Sequence, residues 1–411
     1  MRIKKITKIK LEEKKIFYDI TVDKYHNFVI GDSKILTHNT SLNSAVIGMA
    51  QSFKNSLPLL EEIGQFGSMR SPEAGAPRYI STKLNGNFRL IYKDFELLNY
   101  QIEEGDEIEP NYFLPIIPTV LLNGSSGIAV GFATNILNRN PIDLIDCCLK
   151  SLDGKKFNEP LPWWKDFKGT VKKLDGQESS FQINGVHEIV NTNTVHISEL
   201  PPSMTYSKYE NWLNQLINKG SISTYDDNCK KNIDYTVKFN RAELNSRIDK
   251  GQLEGILKLY ETETENLTCL DEHGKLIIFK NIIELINYFV KFRLTFYDKR
   301  KAFIVAKLKR EHSILTNRAK FIKAIIDGNL KINNRPKSEL VVDLEKMKFD
   351  KLEDSYTYLL SMAIHSLTKE TYESLLKDVE VNENLVKETE SLKPTQMYID
   401  DLKELRKKLI K

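Results

Sequence analysis

Apolar residues follow two different periods along this chain, and the change from one to the other falls near residue 40. Ile16, Tyr18, Ile20 and Val22 alternate with Phe17, Asp19 and Thr21, the period of a strand. Phe28-Val29-Ile30 and Lys34-Ile35-Leu36 flank Gly31-Asp32-Ser33, which predicts a hairpin with a short turn. From Thr40 the residues Leu42, Ala45, Val46, Met49 and Phe53 recur at helical spacing, with Thr40 or Ser41 as the expected cap. Residues 150–285 carry short β runs such as Asp234-Tyr235-Thr236-Val237-Lys238-Phe239 in a loop-rich background. From Ile282 the pattern turns strongly helical, and Lys299-Arg300-Lys301 through Lys309-Arg310 lies on one long charged helix. That helix is either plain and solvated or the outer face of a coiled coil. The predicted class is α+β and multidomain, since 411 residues leave room for several domains.

Composition changes this picture little; charge changes it more. Hydrophobic residues at 41% and charged residues at 28% are ordinary for a soluble chain. No apolar run approaches membrane-spanning length, and the Lys-rich start lacks the apolar stretch of a signal peptide. A cytoplasmic location without a membrane partner is expected. Cys147, Cys148, Cys229 and Cys269 lack CxxC spacing, so neither a zinc site nor a disulfide framework is suggested. The net charge of +4 belongs wholly to residues 1–39, which hold nine Lys/Arg against five Asp/Glu. A basic leader can steer an acidic partner, whereas any DNA binding by residues 40–411 must rest on local clusters.

At the change of period stands His38-Asn39-Thr40. An Asn side-chain amide can close a five-membered ring on its own backbone carbonyl and break the next peptide bond. A neighbouring His can protonate that bond, and a following Thr hydroxyl can attack an ester or thioester. The whole string YDITVDKYHNFVIGDSKILTHNT resembles the C-terminal splicing motifs of inteins, with their aromatic-Asp strand, His-x-Phe turn and closing His-Asn. The resemblance implies that Asn39 cyclises with His38 as proton donor and that Thr40 is the branch-point nucleophile. It further implies that His26 assists cyclisation and that Asp19 tunes the nucleophiles. A complete intein also has an N-terminal nucleophile and a histidine block, which are not found ahead of these motifs. Residues 1–39 therefore resemble the C-terminal piece of a split, β-rich HINT-type intein, whose partner is a separately encoded N-terminal intein/extein fragment.

Residues 40–411 resemble another family. Gly64-Gln65-Phe66-Gly67-Ser68, Arg70 and Pro77-Arg78-Tyr79-Ile80-Ser81-Thr82 are similar to the winged-helix region of type IIA DNA topoisomerases. The likeness continues through Glu109–Pro118, Leu121–Asn135, His196–Pro202, Ser366–Glu370 and Asp400–Leu402. It implies a winged-helix DNA-cleavage domain over 40–122, an α/β tower over 123–285, and over 286–411 an antiparallel coiled-coil arm. The arm would end in a small helical dimer gate around 350–390 and return near Tyr398–Leu409. Tyr79 would be the nucleophile toward a DNA phosphate and Arg78 would hold that phosphate, its fork matching two oxygens. A phenol ionises near pH ~10, so few are phenolate at neutral pH without help from a cation or metal. Ile128 sits where the family has an isoleucine wedge that bends DNA. Lys54, Arg70, Lys83 and Arg89 are candidate phosphate contacts by type.

The chain carries no Gly-rich phosphate loop and no acidic cluster suited to Mg²⁺. ATP and Mg²⁺ are thus expected on a partner ATPase/TOPRIM subunit, with homodimerisation through the C-terminal gate. No stretch after the gate resembles a DNA-wrapping propeller, so relaxation or decatenation is expected over supercoiling. The family's histidine-glycine-acidic stretch ahead of the first helix is replaced by the leader, so those groups are expected on the splicing partner. Two rival readings remain open from sequence. One is a non-cleaving DNA-binding or dimerisation subunit with an inert N-terminal arm; the other is cleavage after Asn39 without ligation.

Overall fold

The computed structural model describes the backbone of residues 3–10, 16–22, 28–30, 35–37 and 39–410, apart from 104, 130, 178, 231, 333–334 and 364–365, and side chains from residue 42 onward. The chain divides into two compact units, one of residues 1–93, 115–290 and 405–411, the other of residues 94–114 and 291–404. Residues 94–114 group with the helical residues 291–404.

In the leader, Ile16–Val22 is a strand and Phe28–Ile30 pairs antiparallel with Ile35–Thr37. A further strand, Ile3–Lys10, pairs antiparallel with Ile16–Val22, Asp19 lying opposite Thr7. Its isoleucines fall at positions 3, 6 and 9, not at alternate residues, so periodicity does not reveal it. His26 and His38 lie outside the described residues. The first helix is Asn39–Ala50, so it starts one residue earlier and stops three residues sooner than expected. Asn39 and Thr40 are its first two residues, which moves the cap off Thr40 and Ser41. At the other end the Asn55 side chain donates to the carbonyls of Gly48 and Gln51, both at 2.8 Å, satisfying carbonyls that the helix leaves open.

The first unit continues with a two-stranded antiparallel ladder, Leu60–Ile63 against Ser81–Leu84. The helix Gly86–Ile91 follows, capped by the Asn85 side chain. Ala50, Phe66, Ile91, Ile116, Ile117, Leu121 and Leu122 are buried. A hairpin of Ser125–Ala129 and Phe132–Ile136 comes next. Two further antiparallel sheets of three and four strands follow. In one, Ser180–Asn184 lies between Thr170–Lys173 and Tyr260–Thr264. The other runs Val186–Asn191, Thr194–Glu199, Tyr235–Lys238, Thr224–Asp227 and is covered by the helix Tyr206–Asn218. The β run expected at 234–239 is therefore a central strand, with Tyr235 and Val237 fully buried.

The second unit holds the long helix Ile282–Ile326 from residue 291 on, the helices Lys337–Lys346, Thr357–Leu360 and Lys369–Ser391, and the helix Pro394–Ile410 up to residue 404. Lys309 pairs with Glu390 at 2.6 Å, and Tyr297 stacks on Tyr398 at 4.5 Å and donates to Asp401 at 2.8 Å. Rising numbers on one helix meet falling numbers on the return, so the arm is antiparallel. The globular end differs from the expected 350–390. Its core is Phe321, Leu330, Leu340, Leu344, Phe349 and Leu359, and the return begins at Lys369, where the Thr368 hydroxyl caps the helix. Among the described residues no helix is long and apolar enough to cross a membrane.

Candidate active site

Tyr79 closes a single 3₁₀ turn, Pro77–Tyr79. Pro77 presets the backbone for that turn, and the Tyr79 N–H donates to the Ala76 carbonyl at 2.9 Å. Two residues on, the strand Ser81–Leu84 fixes the exit. The preceding loop is equally held. The Gln51 side chain donates to the carbonyls of Phe66 (2.7 Å) and Pro72 (3.2 Å), and the Gly75 N–H donates to Gln65 at 2.9 Å. Gly67 has φ +90°, and a Cβ there would stand 2.6 Å from the Pro72 carbonyl oxygen, so only glycine fits. These bonds hold the loop in place, and the Tyr79 it carries is 73% exposed. The Arg78 guanidinium lies 4.8 Å from the Tyr79 ring centroid, near enough for a cation–π contact. An open phenol beside an exposed guanidinium suits attack on an anionic, convex polymer more than on a small molecule held in a cavity.

The remaining candidates are distributed differently. Ile128 is 95% exposed on its hairpin, opposite Ala133, an orientation without any core role. Lys83 follows Tyr79 on the strand and pairs with Glu61 at 3.4 Å, while Arg89 is exposed on the helix Gly86–Ile91. Arg70 donates to the Cys229 carbonyl at 3.0 Å and lies 3.5 Å from Asp227, with its side chain still 55% exposed. Lys54 lines a groove of about 1180 Å³ together with Phe53, Trp164, Lys165, Lys168 and Lys208. Burial pushes the groove carboxyls of Glu199 and Glu261 above the usual range, while hydrogen bonds from the Lys168 N–H and from Ser203 pull them back.

Two residues that the sequence did not single out hold the Ile128 hairpin. Arg139 is fully buried and donates to Glu265 at 2.7 Å, to the Pro160 carbonyl at 2.7 Å and to the Leu137 carbonyl at 2.9 Å. Glu265 also accepts the Leu137 N–H at 2.8 Å. Next to this pair Asn135 bridges to Asn266. Gly124 closes the base: its φ is +72°, and a Cβ would stand 2.5 Å from Asn138 Oδ1. An arginine that lies 126 positions from its carboxylate gives no local signal.

Residues 29–403 match the family model for the A-subunit of DNA gyrase/topoisomerase IV, the match beginning inside the leader. The DNA topoisomerase medium subunit of Enterobacteria phage T4 is 32% identical over 397 residues, covering 93% of this chain and 88% of that protein. The mitochondrial DNA topoisomerase 2 of Dictyostelium discoideum is 32% identical over 416 residues, covering 97% of this chain but 32% of that protein. The chain thus spans about a third of the length of such larger relatives. The crystal structure of the Plasmodium falciparum topoisomerase II DNA-binding, cleavage and re-ligation domain is similar at 32% identity and TM-score 0.83, over 90% of this chain and 55% of that one.

Proposed function

The chain belongs to the DNA gyrase/topoisomerase IV A-subunit family, and we propose that, freed of residues 1–39, it is the DNA breakage-rejoining part of an ATP-dependent type IIA topoisomerase. The observation that carries this reading is the exposed Tyr79 phenol with Arg78 against its ring, on a loop held by Gln51 and Gly67. Tyr79 Oη bonds to a backbone phosphorus and gives up its proton. The 3′ oxygen leaves with the electron pair of the broken P–O bond. The phosphate stays on the protein as a 5′-phosphotyrosine diester, and return attack by the 3′-hydroxyl reseals the strand and restores the phenol. Arg78 neutralises charge on the phosphate as it passes through five-coordination.

Double-stranded DNA is the proposed substrate, and a homodimer through the helical gate would cut both strands. Among the described residues no three His, Cys, Asp or Glu side chains gather as a metal ion needs. Like ATP, Mg²⁺ is proposed to sit on a partner ATPase/TOPRIM subunit. The test is to stop the complex on DNA with denaturant and look for protein covalently attached to 5′ ends. A complex that binds DNA and never leaves such an adduct is a non-cleaving subunit.

Ile128 is proposed to wedge between base pairs. Ile128→Ala should lower the bent fraction of a doubly labelled duplex by about tenfold, since wedge and unstacking are coupled. The melting temperature should be unchanged, because the side chain touches no core. Unaltered bending would assign Ile128 no part in DNA deformation.

Residues 1–39 are proposed to act as a C-terminal split-intein fragment. Thr40 Oγ1 takes over the acyl group of the partner's upstream segment from its (thio)ester. The Asn39 amide nitrogen then attacks the Asn39 carbonyl carbon and expels the Thr40 nitrogen, protonated by His38. The freed amine accepts the acyl group from Oγ1 and leaves a normal peptide bond. Asn39 starts the first helix, so cyclisation requires its first turn to fray, a low-cost opening at a helix end. Co-expression with a fragment ending in an intein N-half should yield a longer ligated product and a released peptide by intact mass. Ligation by an Asn39→Ala, Thr40→Ala variant sinks this reading, and release without ligation reduces it to C-terminal cleavage.

A further inference from the structure

The loop ahead of Tyr79 is closed at its base and docked at its tip, all within the first unit. At the base, the Gly75 N–H donates to the Gln65 carbonyl at 2.9 Å. A Cβ added to Gly64 would stand 3.2 Å from the Tyr79 carbonyl oxygen, so the base lies directly against the turn that carries the phenol. At the tip, the Ser68 N–H donates to the Ser71 carbonyl at 2.8 Å and closes a turn around Met69 and Arg70. Met69 packs against the apolar core of the four-stranded sheet and its helix Tyr206–Asn218. The Met69 carbonyl accepts the Tyr206 N–H at 3.2 Å, one of the donors that the start of that helix leaves open. The Arg70 guanidinium spans the end of the strand Thr224–Asp227. One of its nitrogens donates to the Cys229 carbonyl at 3.0 Å, and the other lies 3.5 Å from Asp227 Oδ2. Asp227 Oδ1 in turn accepts the Cys229 N–H at 2.8 Å. The ring so formed needs a forked cation, because an ammonium is a single point charge.

We infer that Arg70 is a positioning residue for strand cleavage: it clamps the loop to the sheet and thereby sets where Tyr79 stands. The inference rests on Tyr79 as the nucleophile and adds the residue through which a sheet more than a hundred positions away holds it. The Arg70 side chain is 55% exposed and that of Asp227 25%, so the pair contributes little to stability against solvent and salt. A displacement of a reacting group by about 1 Å, in contrast, costs up to ~10²-fold in rate. The clamp therefore matters far more to the placement of the phenol than to folding. A guanidinium shared between a carboxylate and a carbonyl also has fewer N–H groups left for a phosphate.

The test compares Arg70→Ala, Asp227→Asn and the double variant, both as the full chain and in the complex whose adducts report cleavage. Asp227→Asn keeps an acceptor for the Cys229 N–H but turns an amide NH2 toward Arg70. Single-turnover adduct formation should slow about 10- to 100-fold in Arg70→Ala and about tenfold in Asp227→Asn. The double variant should be no slower than Arg70→Ala, because the two residues act as a unit. DNA affinity and its salt dependence should hold, and the melting temperature should move by less than about 2 °C. Without DNA, hydrogen exchange of the Tyr79 amide, which is bonded to Ala76, should quicken about tenfold in either single variant. Unchanged exchange overturns the clamp, and wild-type adduct rates overturn its part in cleavage. A lower affinity of Arg70→Ala with a salt slope reduced by about one also overturns it, since that is the mark of a lost phosphate contact. Asp227→Asn would then free Arg70 and tighten DNA binding instead of slowing cleavage. Quickened exchange in variants of a complex whose wild type forms no adduct supports the clamp and removes Tyr79 as the nucleophile.

Discussion

Tyr79→Phe should eliminate covalent protein–DNA adducts and leave the fold and DNA binding intact. The substitution deletes one oxygen from a side chain whose hydroxyl makes no hydrogen bond among the described residues and which is largely solvent-exposed. Its cost in stability should stay within about 0.5 kcal/mol, as for other surface changes. The chemical cost is of another order. Without the phenol oxygen no ester can form, and removing a nucleophile from an otherwise intact site lowers rates by ~10⁴-fold or more. Arg78→Lys should fall between, losing about 10- to 100-fold, because a point charge replaces a fork that contacts two phosphate oxygens. The measurement is the fraction of labelled DNA retained with protein after denaturation, alongside a binding isotherm at fixed salt. Adducts persisting in Tyr79→Phe at the wild-type level would move the nucleophile to another exposed tyrosine, such as Tyr260, which is 43% exposed.

How much of this site the sequence disclosed depends on how local each feature is. Tyr79 and Arg78 came from the family resemblance of a contiguous motif, and the structure places both in the one short turn Pro77–Tyr79 ahead of a strand. The long helix from Ile282 and the central strand Tyr235–Lys238 were legible because each carries its own period. The contacts of Arg70 with Asp227 and Cys229 were not legible, because charge type alone does not show which groups far along the chain a guanidinium meets. The globular end was misplaced toward the C-terminus because its core draws on Phe321 and Leu330 from the long-helix side. A helical period cannot tell where packing switches from the arm to its globular end. The strand Ile3–Lys10 escaped because a three-residue spacing of isoleucines suggests a helix as readily as a strand.

Arg139→Ala should cause a large loss of stability, about 3–5 kcal/mol, and should disable the Ile128 hairpin without touching Ile128. The reason is what the substitution leaves behind. Arg139 is fully buried and Glu265 nearly so, and the guanidinium also satisfies the carbonyls of Leu137 and Pro160. Removing it strands a buried carboxylate and two buried carbonyls, and an uncompensated buried charge costs more than the intact pair contributes. Glu265→Gln keeps the shape but has only one acceptor oxygen, so holding the Leu137 N–H turns its NH2 toward the Arg139 guanidinium and leaves that cation buried without its carboxylate; its loss should also be about 3–5 kcal/mol. The double change Arg139→Met, Glu265→Leu should recover much of the deficit, since no charge is left buried. That non-additivity is what a double-mutant cycle in urea would read. The functional consequence follows from chain order. Leu137 and Asn138 continue the strand Phe132–Ile136, and Asn135 bridges to Asn266 beside Glu265. Loosening the pair therefore frees the hairpin base, and DNA bending should fall in Arg139→Ala as it does in Ile128→Ala, but with a lowered denaturation midpoint that Ile128→Ala lacks. A stability loss below about 1 kcal/mol would mean that water reaches the carboxylate, which its burial in the folded chain argues against.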